Sequence, residues 1–216
     1  MYWSYKISTI SDVIINFGDV FKLDVPVWNV GNITKILESN NNWVSYNPRK
    51  SNKRLGLSVT SLDGLYSGIP DLDSLREYNQ LHNKAYNENH FKTRTSIVQL
   101  IPELEYILEL FPDHGRCHFI RLDAGGFFPP HRDNGLSNIV TQTFRIIVPV
   151  NNFNKYCLTW VQDGSLLEFD IGSVYFINTT KVHSLFSYVD NSICFVMNVI
   201  CTPNSLKTLV KHSYIK

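Results

Sequence analysis

The second half of the chain predicts a mostly β fold, an antiparallel barrel or jelly roll supported by helices. Seven short stretches have the residue pattern of strands, and turn signals separate them at roughly the spacing of barrels and sandwiches. Between the third and fourth stretches, Asp163-Gly164 is a strong hairpin signal. The expected strands are Arg116–Leu122, Phe144–Val150, Tyr156–Gln162, Leu166–Phe169, Ser173–Ile177, His183–Tyr188 and Ser192–Ile200.

The first half mixes strand and helix patterns. Alternation of apolar and polar residues predicts strands at Trp3–Ser8, Val20–Val25 and Arg54–Leu62. Helices are expected at Asn32–Ser39, Asp73–Lys84 and Pro102–Leu110. The last of these has apolar residues at helical spacing and a proline in its first turn, where proline is tolerated.

A single domain is expected over residues 1–216, because no linker rich in glycine, serine or proline divides the chain. Within it, residues 1–115 are interpreted as a mixed α/β buttress, 116–202 as the β core and 203–216 as a polar tail. A chain of 216 residues with 44% hydrophobic side chains can bury a sizeable core, so disorder is not expected.

Charge and cysteine usage exclude several classes of function. A net charge of +1 gives no reason to expect nucleic-acid or membrane-surface binding, and no apolar run has the length of a membrane span. The four cysteines form no CxxC pair, which excludes a zinc ribbon and a thioredoxin-like motif. The N-terminus lacks a signal-peptide pattern, so reduced thiols and a cytoplasmic location are expected.

Candidate metal ligands follow a strand and a glycine turn, in the sequence GGFFPPHRD at Gly125–Asp133. His131 and Asp133 are two residues apart, which places both side chains on one side of an extended chain. His183, at the start of a predicted strand, is the candidate third ligand. Two histidines and one carboxylate leave coordination positions open, as in non-haem Fe(II) oxygenases. The alternative is a surface turn at His131 and Asp133, with His183 as a core histidine.

This stretch, followed by His183, resembles the HxD…H motif of the Fe(II)- and 2-oxoglutarate-dependent dioxygenases. PPHRD at Pro129–Asp133 and FRIIVPV at Phe144–Val150 look most like the aspartyl/asparaginyl β-hydroxylase branch. The resemblance covers roughly Arg116 to Thr202. It implies a double-stranded β-helix (cupin-like), iron held by His131, Asp133 and His183, 2-oxoglutarate and O2 as cosubstrates, and release of succinate and CO2. The implied reaction is hydroxylation of an amino acid or of an amino-acid side chain in a peptide.

Arg145 is the expected anchor for 2-oxoglutarate. Many members of the superfamily use an arginine about ten residues after the second histidine, but Val189–Cys194 contains no cation here. Arg145 lies on the predicted strand after the first histidine, and its planar fork can hold a carboxylate through two hydrogen bonds. The alternative is a structural ion pair to Asp123, Asp163 or Glu168.

Two other classes of function remain open: a cupin-like metalloenzyme that does not use 2-oxoglutarate, and a catalytically silent barrel that acts as a binding module. The oligomeric state is open too. Five aromatic side chains are expected to line a dry interior: Phe127, Phe128, Phe144, Phe176 and Phe195. The polar loop Asn134–Thr143 is a candidate lid. The basic segment Asn47–Arg54 is interpreted as a solvated loop, or as a lid that attracts a carboxylate-bearing substrate.

Overall fold

The computed structural model describes residues 9–48, 50, 52–133 and 143–213. Its helices are α1 (Ile10–Phe17), α2 (Val30–Glu38), α3 (Leu75–His82), α4 (Ile97–Leu100), α5 (Pro102–Leu110) and α6 (Pro203–Lys211), and a 3-10 turn covers Glu88–His90. Its strands are β1 (Val20–Lys22), β2 (Val44–Ser45), β3 (Arg54–Ser58), β4 (Thr60–Ser61), β5 (Thr93–Arg94), β6 (His114–Leu122), β7 (Phe127–His131), β8 (Thr143–Asn151), β9 (Leu158–Gln162), β10 (Ser165–Leu167), β11 (Tyr175–Ile177), β12 (His183–Ser187) and β13 (Ser192–Ile200).

Two antiparallel sheets face each other across an inner core. The larger sheet has the order β1-β11-β8-β13-β6-β3-β2, and the smaller has the order β10-β9-β12-β7. Ile120, Ile147 and Cys194 of the larger sheet pack in one cluster with Trp160 and Leu185 of the smaller. The predicted fold class is therefore confirmed: the chain forms a cupin-like double-stranded β-helix with flanking helices.

The predicted hairpin at Asp163-Gly164 joins β9 to β10, with Gln162 opposite Ser165. Both turn residues have positive φ, 46° at Asp163 and 81° at Gly164. A two-residue turn of this kind matches the twist of the strands that it joins. The local sequence was therefore sufficient to predict this connection.

The larger sheet is buried on both faces, and the two-residue period of a strand divides its side chains between them. On β8, Phe144 and Ile146 pack outward against the helices, whereas Ile147 packs into the inner core. Phe176 and Phe195 also belong to the outer core. The prediction that Phe144, Phe176 and Phe195 line the interior was wrong, because their positions along the strands point the other way.

Strands from the first half of the chain complete the larger sheet. β3 pairs with β6, β2 pairs with β3, and β1 pairs with β11. Residues on both sides of position 116 therefore contribute to one sheet, and helices α2, α4 and α5 pack against its outer face. The predicted strand Trp3–Ser8 lies outside the described residues. No helix in the described part of the chain has the length and apolarity needed to cross a membrane.

The predicted polar tail contains a helix instead. In α6, Leu206 and Leu209 are buried in the outer core, and Thr202 caps the helix through a reciprocal hydrogen-bond pair with Ser205. The buried leucines are three residues apart, so only one face of the helix is apolar. The many polar residues on its other faces obscured this pattern in the sequence.

Candidate metal centre

A tight turn carries the chain from β6 in the larger sheet to β7 in the smaller. Gly125 has a φ of 80°, a conformation that glycine adopts without strain. At Gly126 a Cβ atom would lie 2.7 Å from the carbonyl oxygen of Lys53, so only glycine fits without displacement of the backbone. β7 was not predicted as a strand because it contains Pro129 and Pro130. It lies at the end of the smaller sheet, where missing N–H groups are tolerated.

The three predicted metal ligands converge at one point. His131 on β7 lies opposite His183 on β12, and their ring centroids are 4.3 Å apart. The backbone N–H of Asp133 donates to the carbonyl oxygen of Thr179 at 2.9 Å, which holds Asp133 beside the two rings. One ligand atom from each side chain lies within 4.8 Å of the other two. Side chains of these types at this spacing could hold a divalent metal ion.

The imidazole rings are oriented so that the same nitrogen of each is available. His131 Nδ1 lies 2.7 Å from the carbonyl oxygen of Pro129, and His183 Nδ1 lies 3.0 Å from that of Lys181. A carbonyl oxygen accepts only from a protonated Nδ1. The lone pair of each neutral ring is therefore on Nε2, as second-shell hydrogen bonds commonly arrange it at metal sites.

Asp133 is ionised at neutral pH. Burial alone would raise its pKa, but the charge of Arg145 and the contact with His131 outweigh this effect and hold the pKa far below its usual range. Arg145 Nε lies 3.3 Å from Asp133 Oδ2, and His131 Nε2 lies 3.5 Å from Oδ1. The same contact raises the pKa of His131, whereas burial lowers that of His183.

Arg145 is buried on the inner face of β8, where only 7% of the residue is exposed. It lies opposite Asn198 on β13 and donates to the Asn198 side-chain oxygen through Nη1. Its Nη2 lies 2.9 Å from Oε2 of Glu88. The ion-pair partners considered from the sequence are engaged elsewhere: Asp123 with Arg121, Asp163 with Lys181 and Glu168 with Lys155.

Glu88 and Arg116 were not predicted to belong to the site. Arg116 Nη2 pairs with Glu88 Oε1, so Glu88 bridges Arg116 and Arg145. Burial opposes the charge on Glu88, but the two guanidinium groups lower its pKa below the usual value. We call Glu88, Arg116, Asp133 and Arg145 the ionic cluster. Glu88 lies in a 3-10 turn with no pattern of its own, and only its position in the fold reveals its role.

A cavity of about 900 Å³ opens over these residues. Its lining includes the three candidate ligands, and Ile147, Trp160 and Leu185 form an apolar wall. Phe127 and Phe128 also line it, as predicted from the sequence. The candidate lid falls outside the described residues at 134–142, and Thr143 begins β8. A volume of this size is typical of small-molecule sites.

No family model matches the sequence, and no curated protein matches it. Several solved structures are similar in fold. A prolyl-4-hydroxylase of Pseudomonas putida shares 13% identity over 88% of this chain and 96% of its own, with a TM-score of 0.48. KdgF of a Halomonas species shares 13% identity over 43% of this chain and 74% of its own, with a TM-score of 0.32. A predicted oxalate decarboxylase of Thermotoga maritima shares 14% identity over 42% of this chain and 70% of its own, with a TM-score of 0.30.

At these sequence identities the similarity concerns the fold alone. The resemblance to the aspartyl/asparaginyl β-hydroxylase branch, which was drawn from Pro129–Asp133 and Phe144–Val150, remains a prediction.

Proposed function

We propose that this protein is a non-haem Fe(II)- and 2-oxoglutarate-dependent oxygenase that hydroxylates an amino acid or an amino-acid side chain in a peptide. The observation that carries the proposal is the convergence of His131, Asp133 and His183 in one cavity, with their ligand atoms within 4.8 Å. Two imidazoles and one carboxylate on one side of an ion leave positions open for cosubstrates.

The residues fit the metal. Both histidines present Nε2, Asp133 is anionic, and Arg145 contacts the Asp133 oxygen that is farther from His131. When bound, iron would activate O2. The oxidation of 2-oxoglutarate to succinate and CO2 would then be coupled to hydroxylation of the substrate. The protein contributes orientation of the ligands, and its apolar wall of Ile147, Trp160 and Leu185 keeps water away.

The charge balance of the ionic cluster supports a dianionic cosubstrate. The cluster has two guanidinium groups and two carboxylates, so its formal charges cancel. A divalent ion at Asp133 would add two positive charges in a largely buried region, where unbalanced charge is costly. The two carboxylates of 2-oxoglutarate would restore neutrality, and Arg145 is the cation beside the ligands that would receive one of them.

One observation favours the alternative of a cupin-like metalloenzyme that does not use 2-oxoglutarate. Arg145 already donates to Glu88 and Asn198 and contacts Asp133. A cosubstrate carboxylate would reach Arg145 only after Glu88 gives way. The pair of arginines that now holds Glu88 is nevertheless suited to a carboxylate.

The test is an anaerobic titration with Fe(II) and then with 2-oxoglutarate, followed by visible absorption. We expect a weak charge-transfer band that requires both and is absent from Asp133→Ala. The Arg145→Lys variant should bind iron normally and 2-oxoglutarate more weakly, because lysine lacks the planar fork. His82→Ala, which changes an exposed histidine on α3, is the matched control. Iron binding without the band would indicate the cupin-like alternative, and no iron binding would indicate a silent barrel.

A further inference from the structure

Arg54 is a buried cation without a counter-charge among the described residues. It begins β3, faces the cavity and is 8% exposed. Its Nε has no hydrogen-bond partner, and no ion pair reaches its guanidinium group within the described part of the chain. Burial of a charge without a counter-charge costs on the order of several kcal/mol of folding free energy. Such a group is retained where a ligand supplies the missing charge.

The other described cations of the same basic segment are engaged. Lys50 pairs with Glu77 at 3.6 Å, and Lys53 Nζ donates to the carbonyl oxygen of Ala124 at 2.8 Å. Both lysines are exposed, whereas Arg54 turns inward because β3 directs it to the same side as Ser58, opposite β6. Among the described cations of this segment, Arg54 alone is buried.

Aromatic rings fix the position of the Arg54 guanidinium group. Its Cζ lies 4.1 Å from the ring centroid of Phe128 and 5.6 Å from that of Tyr46. Phe128 in turn stacks against the His131 ring at 5.9 Å. Arg54 and the candidate metal ligand His131 therefore both contact Phe128 and line the same cavity, so a molecule held by Arg54 would lie in the cavity that contains the metal ligands.

A second orphaned polar group lines the same cavity. His118 is 4% exposed, lines the cavity, and neither of its ring nitrogens has a hydrogen-bond partner among the described residues. Its ring centroid is 5.5 Å from that of Tyr46. Burial, with Arg116 and Arg145 nearby, lowers its pKa well below the usual value, so the ring is neutral. A neutral imidazole has one N–H group that can donate to an anionic oxygen.

We propose that Arg54 binds a carboxylate of the organic substrate, with the unpartnered His118 as a further polar group of the same cavity, so that the substrate is a carboxylate-bearing amino acid or peptide. This inference rests on the proposed oxygenase function. Two of the arginines that line the cavity differ in their charge balance. Arg145 is balanced by carboxylates of the ionic cluster and adjoins the metal ligands, whereas Arg54 has no counter-charge among the described residues and contacts Phe128. The first position suits the cosubstrate, and the second suits the molecule to be hydroxylated.

The test follows the side-chain Nε–Hε signal of Arg54 by NMR, with acetate as the probe and acetamide as its uncharged counterpart. Zn(II) and 2-oxoglutarate are present, since zinc permits no turnover. The signal is assigned by its absence from Arg54→Met. We expect acetate to shift the Arg54 signal and the Phe128 amide signal to saturation, and acetamide to shift neither. Loss of the guanidinium group should weaken acetate binding by about tenfold or more.

The control variant is Lys53→Met, which removes a neighbouring charge of the same segment outside the cavity. It should retain the acetate shifts, whereas Arg54→Met should lose them. Absence of a saturable Arg54 shift, or equal Phe128 shifts in Arg54→Met, would overturn the proposal. A shift of Arg54 caused by 2-oxoglutarate itself would overturn it too, because Arg54 would then anchor the cosubstrate.

Two further measurements separate this proposal from a failure of the oxygenase function and from a structural role of Arg54. The same acetate titration without metal reports on Arg54 even if the protein fails to bind Zn(II), so a failed oxygenase function is recognised separately. Denaturant unfolding distinguishes binding from a structural role. Replacement of an unbalanced buried charge by methionine should leave the midpoint unchanged or raise it. A lowered unfolding midpoint in Arg54→Met, together with acetate shifts of the Phe128 signal that remain in that variant, would show that Arg54 has a structural role instead.

Discussion

Glu88 Oε2 lies 2.9 Å from Arg145 Nη2, although the two residues are 57 positions apart in the chain. The contact joins the 3-10 turn of the first half to strand β8 of the barrel. Arg145 in turn contacts Asp133, so a residue outside the barrel strands shares its cation with the candidate metal ligand. Several consequences can be measured.

Glu88→Gln should destabilise the protein strongly at neutral pH. It leaves Arg116 and Arg145 buried without their shared carboxylate, and loss of one partner of a buried pair costs about 3–5 kcal/mol. Chemical denaturation measures this difference in the free energy of unfolding. Glu105→Gln, which breaks an exposed pair with Arg94, is the control and should cost less than about 1 kcal/mol.

The effect of Glu88→Gln should depend on pH in a defined direction. The folded-state pKa of Glu88 is lowered, so its ionised form stabilises the protein at pH above the ordinary carboxyl value of 4.5. That contribution is lost as the pH falls through the lowered pKa, where the wild-type side chain is protonated too. The difference between the two proteins should therefore shrink in acid, and a difference that grows there would contradict this description of Glu88.

The coupling between Glu88 and Arg145 should be visible in a double-mutant cycle. Arg145→Met leaves Glu88 and Asp133 without their shared cation, so each single substitution is costly. The Glu88→Gln/Arg145→Met protein should be more stable than the sum of the single effects by at least about 1 kcal/mol, since residues in one network are not additive. Simple additivity would show that the contact contributes little.

Metal binding should stabilise the folded protein. A divalent ion at 100 times its dissociation constant adds about 2.7 kcal/mol to the free energy of unfolding if it binds only the folded state. The wild-type unfolding temperature should rise with Zn(II) and fall back when a chelator is added. His183→Ala should show no rise, and an equal rise in that variant would place the ion elsewhere.

Helix α6 offers a test of the fold away from the site. Leu209→Ala removes a fully buried side chain and should cost about 2–5 kcal/mol. Lys207→Ala, on the exposed side of the same helix, should stay within about 0.5 kcal/mol. Equal small effects would support the original interpretation of this segment as a tail.

Local patterns predicted most strands of the barrel. Two predicted elements have the same bounds in the structure, namely helix Pro102–Leu110 and strand Ser192–Ile200. Their signals are local, namely periodic apolar residues and turn dipeptides. β7 was missed because prolines are unfavourable in strands, and the sequence could not show that it lies at a sheet edge.

The candidate site was predictable in part. His131 ends β7 with Asp133 just after it, Arg145 lies on β8 of the other sheet, and His183 begins the strand that pairs with β7. Glu88 has no spacing that marks it, and Arg54 was noted only as part of the basic segment Asn47–Arg54. Alternation does place Arg116 and His118 on the inner face of β6, and this signal was available but was not used. The contact of Glu88 depends on long-range folding, which local spacing does not encode.

The central claim is that His131, Asp133 and His183 together hold one divalent metal ion. Anaerobic equilibrium dialysis against Fe(II), with bound iron measured per chain, tests it most directly. We predict one tightly bound ion in the wild-type protein and in His82→Ala, and loss of that ion in His131→Ala, Asp133→Ala and His183→Ala, with all variants shown to be folded by circular dichroism. Tight binding that survives in any of the three folded ligand variants, or no tight binding in the wild-type protein, would contradict the claim.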